Sequence, residues 1–318
     1  MRKEGDSGKK QKVVFMGTPW IATMTLKGLI DRNYDVAAVI TQPDKLINKK
    51  GSPIFSPVKV LALQKGIKIL QPLKIGEAKD ELEKINADMF VTCAYGQFIP
   101  DSILNLPKLG CFNVHASVLP ALRGGAPIHW AIISGFDETG ITIMKTVKKM
   151  DAGDIYAIYK IAIDKEDTTT TLTKKLGDLA YKSVVEQIPK IFNNEIKPVK
   201  QLDRLVSYAY NITKEQEKLN FDLPSFYVHN WIRALSEIPG AFGIYQNKRI
   251  KFFKSDLTGI KSVHEPGTIS NLTPEGIFVS TKDFEILIRE IQIEGKNRIL
   301  YSNYHNGNRL FKVGMRFN

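Results

Sequence analysis

Cysteine is scarce in this chain: there are two in 318 residues, Cys93 and Cys111. Both lie in apolar, strand-like runs, which predicts buried free thiols in a reducing compartment and argues against a disulfide framework or a thiolate zinc site. The five histidines show no metal-ligand spacing with acids or cysteines, so no metal is expected. No apolar run approaches the roughly 18 residues of a membrane span. The first eleven residues, Met1 to Gln11, are polar and charged, with no apolar region or cleavage pattern. They predict a short disordered extension and not a secretory signal. The glycines that admit a pyrophosphate are also missing. The first strand-to-helix turn reads G-T-P, Gly17 to Pro19, and no Walker pattern occurs, so neither NAD nor ATP is expected.

Acidic residues are outnumbered: 33 Asp and Glu face 45 Lys and Arg, a net charge of +12. The excess is uneven, with 13 basic against 5 acidic residues over 1–70, 16 against 16 over 71–200, and 16 against 12 over 201–318. A segmental basic excess fits a polyanionic partner, most simply a nucleic acid, although solvated surface lysines give the same balance.

What is present begins as an α/β pattern. Lys12 to Gly17 is a short apolar run ending in Gly, read as a strand. Thr18 then serves as a helix cap with Pro19 at the helix start, the following helix runs to about Asp31, and Val36 to Thr41 is a second strand. Strand, helix and strand in that order imply a parallel, right-handed unit. Further strands are expected at Lys68–Leu70, Met89–Ala94, Ile141–Val147 and Ile155–Ile163, with helices at Pro57–Lys65, Glu77–Ile85 and Thr168–Phe192. The expected fold is a Rossmann-like, doubly wound, mostly parallel sheet over residues 12–192. A linker over 193–207 and a small C-terminal β-barrel, OB-like, over 208–318 would follow.

The densest chemistry lies in residues 110–154. Cys111, Phe112 and Val114 read as a buried strand, yet Asn113 and His115 interrupt it. Two residues apart on a strand, their side chains share one face. A buried amide and imidazole are costly unless something bonds them, so they are either satisfied core groups or a site. Pro120, Gly124-Gly125 and Pro127 then force an irregular loop, which puts the pair where a strand ends and ligands bind in open α/β sheets. Asp151 follows in the turn M-D-A-G-D, Met150 to Asp154. A carboxylate near an imidazole can orient it and stabilise its cation, and an Asn amide can donate to a developing oxyanion, typically worth ~3 kcal/mol. No convincing nucleophile accompanies them. That set fits direct acyl or formyl transfer to an amine, since a free α-amino group titrates near about pH 8 and is already partly nucleophilic. A second feature is the long loop Gln42 to Pro57, with Lys45, Lys49 and Lys50 among Leu46, Ile47 and Phe55. It suits contact with a nucleic-acid end or is a solvated charged loop.

Several of these strings together resemble the folate-dependent formyltransferases: N-V-H-A-S-V-L-P at 113–120, R-G-G-A-P-I at 123–128, T-G-I-T-I-M at 139–144 and M-D-A-G-D at 150–154. M-G-T-P at 16–19, T-Q-P-D at 41–44, S-P-V-K-V at 56–60 and A-Y-G at 94–96 extend the likeness toward the branch that formylates methionyl initiator tRNA. The likeness is strong over about residues 12–165 and weaker to the end, through S-Y-A at 207–209 and the closing N-G-N-R-L-F-K-V-G. It implies 10-formyltetrahydrofolate as co-substrate, methionyl initiator tRNA as acceptor, and a monomeric cytoplasmic enzyme of bacterial type. It also implies Asn113, His115 and Asp151 as catalytic residues: Asn113 on the formyl oxygen, His115 polarising it or passing a proton, Asp151 orienting His115 and a water. Ser117, Val118, Leu119 and Pro120, with Tyr95 and Gly96, would bind the folate. Lys45, Lys49, Lys50 and Arg123 would contact the tRNA. Three positions depart from the family pattern. Val118 stands for Leu, Ala121-Leu122 for a basic residue with an aromatic, and Lys49 for an Arg, which loses a bidentate fork. Competing expectations are an amino-sugar N-formyltransferase, a purine-pathway formyltransferase and a non-catalytic RNA-binding protein.

Overall fold

The computed structural model describes residues 10–44, 53–307 and 310–318. Chain contacts divide the protein into two compact units. The first holds residues up to Pro127, Thr139–Ile161 and Thr173–Ala209. The second holds Ile128–Glu138, Ala162–Leu172 and Tyr210–Asn318. No helix among the described residues is long and apolar enough to cross a membrane.

In the first part of the chain the elements run β1 (Lys12–Gly17), α1 (Trp20–Asp31), β2 (Asp35–Ile40), α2 (Pro57–Gln64), β3 (Ile69–Leu70), α3 (Lys79–Ile85), β4 (Met89–Cys93), α4 (Asp101–Leu104), β5 (Cys111–His115), α5 (Pro127–Ile133), β6 (Glu138–Lys145), β7 (Ile155–Ala162) and α6 (Thr169–Phe192). The sheet order is β3-β2-β1-β4-β5-β6-β7. Strands β1 to β5 pair in parallel and β6 runs antiparallel to β5. The architecture is therefore Rossmann-like. Val13, Val14, Phe15 and Met16 of β1 are all fully buried, as a central parallel strand covered on both faces requires. On α6 the fully buried Leu172, Leu176, Ala180, Val184 and Ile188 recur at helical spacing.

The expected cap on α1 is not made. Pro19 occupies the cap position and no side chain bonds the helix end. Thr18 Oγ1 instead donates to the Tyr95 carbonyl at 3.1 Å, tying the end of β1 to the end of β4. Ser56 does cap α2, accepting from Lys59 N at 3.1 Å.

The remaining elements are α7 (Ser225–Leu235), β8 (Ala241–Tyr245), β9 (Lys248–Lys261), β10 (Ile269–Thr273), β11 (Gly276–Ser280), β12 (Phe284–Ile293), β13 (Arg298–Leu300) and α8 (Tyr301–Tyr304). They form an antiparallel sheet in the order β10-β11-β12-β9-β8, with β13 on β12. Strand β9 is 14 residues long and pairs along β12 through three register shifts that let two long strands coil together. The two edges are joined by the last residues. Ile244 of β8 exchanges backbone hydrogen bonds with Asn318 at 2.9 and 2.8 Å, and Ile269 of β10 with Met315 and Gly314 at 2.8 Å each. This closure makes the sheet barrel-like and removes its edges. It also places the Phe317 ring in the core, 5.2 Å from Phe252 and 5.3 Å from Tyr245 between centroids.

Candidate active site

Strand β5 carries Asn113 and His115 to the carboxyl edge of the parallel sheet, one strand from the Ala94–Gly96 turn that follows β4. Across the pair Thr92 lies opposite Asn113 and donates its hydroxyl to Asn113 Oδ1 at 2.8 Å. The Asp151 carboxylate, which can only accept, assigns the amide: Nδ2 donates to Asp151 Oδ1 at 3.4 Å, and Oδ1 is left to accept from Thr92. His115 is 6% exposed. Its Nε2 lies 3.0 Å from the Leu122 carbonyl, which can only accept, so the neutral ring carries its proton on Nε2. Nδ1 is then the basic nitrogen, and it faces Asp151 Oδ2 at 3.7 Å. A proton taken up there would sit against a carboxylate.

Asp151 comes from the turn between β6 and β7 and is held in the left-handed region, φ +49°. Its Oδ2 accepts from Gly124 N at 2.8 Å. Two glycines make this arrangement possible. A Cβ on Gly153 would lie 1.7 Å from the Lys145 carbonyl oxygen, where Lys145 N also bonds Asp154 O at 2.9 Å. Gly124 has φ +129°, and a Cβ there would meet Ala209 O at 2.5 Å.

The loop between His115 and Gly124 is fastened from both sides. The Leu119–Pro120 peptide is cis. Thr142 Oγ1 donates to Ser117 O at 2.6 Å and accepts from Leu119 N at 3.2 Å, while Ser117 Oγ donates to Ala121 O at 2.7 Å. Ser117 and Leu119 are buried and Val118 and Pro120 are half-buried. On the other side, Leu122 N donates to Ser207 Oγ at 2.9 Å and Arg123 N to Ser207 O at 2.9 Å, and Ala209 N returns a bond to Arg123 O at 2.7 Å. Residues 193–207 therefore do more than tether: this stretch pairs with the loop that carries Gly124. Tyr95 is buried, and its carbonyl accepts from both Thr18 Oγ1 and Gln42 Nε2. Burial pushes the Tyr95 hydroxyl up to about 12, and the Cys93 and Cys111 thiols up to about 11 and about 12. Burial and a raised thiol both disfavour the thiolate that a cysteine nucleophile needs.

The structure thus gathers Asn113, His115 and Asp151, with the 117–120 loop beside them. It removes Arg123 from the expected tRNA contacts. That side chain is 1% exposed, its Nε and Nη2 donate to Gln201 Oε1 at 3.0 and 2.7 Å, and its Nη1 is buried without a hydrogen-bond partner. Lys45, Lys49 and Lys50 lie outside the described residues. The flanks of their loop are anchored: Thr41 and Ser56 share a hydroxyl hydrogen bond of 2.8 Å, and Asp44 pairs with Lys59 and accepts from Gln71 at 2.9 Å. Thr92, Thr142, Gln201 and Ser207 were not legible as site residues. Only S-Y-A at 207–209 carried a signal, as part of the family pattern.

The formyl transferase family model matches residues 10–188, and that of the formyl transferase C-terminal domain matches residues 211–309. The chain belongs to the formyl transferase family. This formyl transferase is 52% identical, over 315 residues and 99% of each chain, to the methionyl-tRNA formyltransferase of Malacoplasma penetrans (strain HF-2). Among solved structures it resembles WlaRD, a sugar 3N-formyl transferase crystallised in the presence of dTDP and 5-N-formyl-THF. The TM-score is 0.66 at 25% identity, covering 91% of this chain and all of that one. It also resembles HypX from Aquifex aeolicus in complex with tetrahydrofolic acid, with TM-score 0.65 and 14% identity over 93% of this chain. It spans about half of the HypX chain, 47%, and that likeness is one of fold alone.

Proposed function

We propose that this formyl transferase moves a formyl group from 10-formyltetrahydrofolate to the α-amino group of methionyl initiator tRNA. The observation that carries the acceptor is the 52% identity across 99% of both chains to a methionyl-tRNA formyltransferase. The observation that carries the chemistry is an amide donor, an imidazole and a carboxylate converging at the carboxyl edge of the sheet.

Each group has one task in this reading. The amine nitrogen attacks the formyl carbon directly, so no acyl-enzyme forms. Asn113 Nδ2, already oriented by Thr92, donates to the formyl oxygen as it gains charge. His115 Nδ1 accepts the proton that the amine loses, and Asp151 stabilises the resulting imidazolium. The bond from the formyl carbon to N10 of the folate then breaks, and N10 takes a proton. Ser117 to Pro120, with Tyr95 and Gly96, form the folate side of the site. Lys45, Lys49 and Lys50 contact the acceptor end of the tRNA as strongly hydrated point charges.

The test is a competition in which 10-formyltetrahydrofolate is offered together with methionyl initiator tRNA and a nucleotide-linked amino sugar, with products detected by mass. Formylmethionyl-tRNA is the expected product. Formylated sugar alone would overturn the acceptor while keeping the chemistry.

A further inference from the structure

We propose that Gln201, working with Arg123, is a positioning residue that holds Asp151 in register with His115 and Asn113; this rests on the reading of Asp151 as the working carboxylate. The Gln201 amide lies between the two loops that build the site. Its Nε2 donates to Asp151 O and to Gly153 O, both at 2.8 Å. Its Oε1 accepts from Arg123 Nε at 3.0 Å and Nη2 at 2.7 Å. Only one amide orientation satisfies four such partners, because the guanidinium can only donate and the carbonyls can only accept.

The chain thereby grips Asp151 twice. Gly124 N holds the carboxylate at 2.8 Å, while the side chain of the preceding residue, Arg123, holds the Asp151 backbone through Gln201. Asp151 needs such support, since its φ of +49° is a region that L-residues occupy sparingly. The Arg123 backbone is itself pinned by Ser207 O and Ala209 N.

The choice of an amide is informative. Arg123 is 1% exposed, and its nearest acid, Asp203 at 4.0 Å, has a side chain that is 86% exposed. A buried guanidinium calls for a charged partner, and a glutamate at 201 would meet that need. A glutamate has no N–H to give the two turn carbonyls and would set its lone pairs against them. A residue at 201 that serves only the guanidinium is best as Glu, whereas one that also holds the turn must be Gln.

Gln201→Met and Gln201→Glu test this, each alone and in an Asp151→Asn background, with single-turnover rates and KM for both substrates. Displacing a reacting geometry by about 1 Å can cost 100-fold, so kcat is expected to fall about 10- to 100-fold in both single variants while both KM values stay within about twofold. In the Asp151→Asn background neither change should lower the rate further, because the residue through which Gln201 acts is already gone. If Gln201→Met does not fold, Gln201→Glu, which keeps an acceptor for Arg123, carries the test. Wild-type kcat in Gln201→Glu, or an undiminished loss in the Asp151→Asn background, would overturn the positioning role. Wild-type turnover in Asp151→Asn alone would overturn the underlying reading of the carboxylate and this inference with it.

Discussion

Replacing Gly153 by alanine is the sharpest single perturbation of the proposed site that touches no reacting group. The added Cβ would lie 1.7 Å from Lys145 O and 2.8 Å from its carbon, where real Cβ contacts stay beyond 3.0 Å. The turn must therefore retreat from the end of β6 by at least about 1.3 Å. Three backbone anchors lie in its path: Lys145 N to Asp154 O at 2.9 Å, and the two bonds from Gln201 to Asp151 O and Gly153 O. At roughly 1 kcal/mol for each hydrogen bond, losing two or three destabilises the fold by about 2–3 kcal/mol. For a unit of this size that lowers Tm by roughly 4–12 °C. Asp151 moves with the turn, and a shift of this size at the reacting centre predicts a fall in kcat on the order of 100-fold. Single-turnover formyl transfer and a thermal melt on the same preparation measure both effects. An alanine variant with wild-type kcat would show that Asp151 keeps its place without the turn, and the argument from this geometry would fail.

Other outcomes follow from the same geometry. Asn113→Ala should lower kcat by about 10²- to 10³-fold with donor KM little changed, as loss of one oxyanion donor does elsewhere; a rise confined to KM would make Asn113 a ground-state contact. Burial raises Cys93 to about 11 and Cys111 to about 12, from 9.0. The unfolded chain releases these protons first, so their contribution is intact below about pH 9 and is lost as pH rises toward the folded values. The unfolding free energy from urea titrations should fall between pH 9 and 10, by up to about 1.4 kcal/mol per thiol per pH unit, and less steeply when both cysteines are replaced by alanine; equal slopes would refute it. Lys49→Ala should raise the tRNA KM and lessen its salt dependence while leaving the folate KM unchanged; steady-state kinetics at two ionic strengths decide this.

Local pattern accounts for much of what the chain already announced. The continuous apolar run of β1 reads as a strand, and Asn113 and His115 stood out because polar residues on a buried strand require an explanation. The alternation of apolar and polar residues is a property of neighbours in the chain, so strands, helices and the face shared by that pair are legible without folding. The family strings marked Asp151 and the 117–120 loop as well.

What only the tertiary structure decided is which distant groups satisfy one another. Thr18 looked like a helix cap and instead ties two strand ends together. Arg123 looked like a surface cation for a polyanion, and the fold buries it against Gln201, 78 residues away. The stretch around Gln201 and Ser207 looked like a linker because it lacks period, yet absence of period says nothing of hydrogen bonds made across the fold. The barrel-like sheet likewise closes through residues 314–318, whose bonding partners Ile244 and Ile269 are named by nothing in that short segment. Buried donors and acceptors must be paired, but the partner is set by chain closure in three dimensions and not by spacing along it.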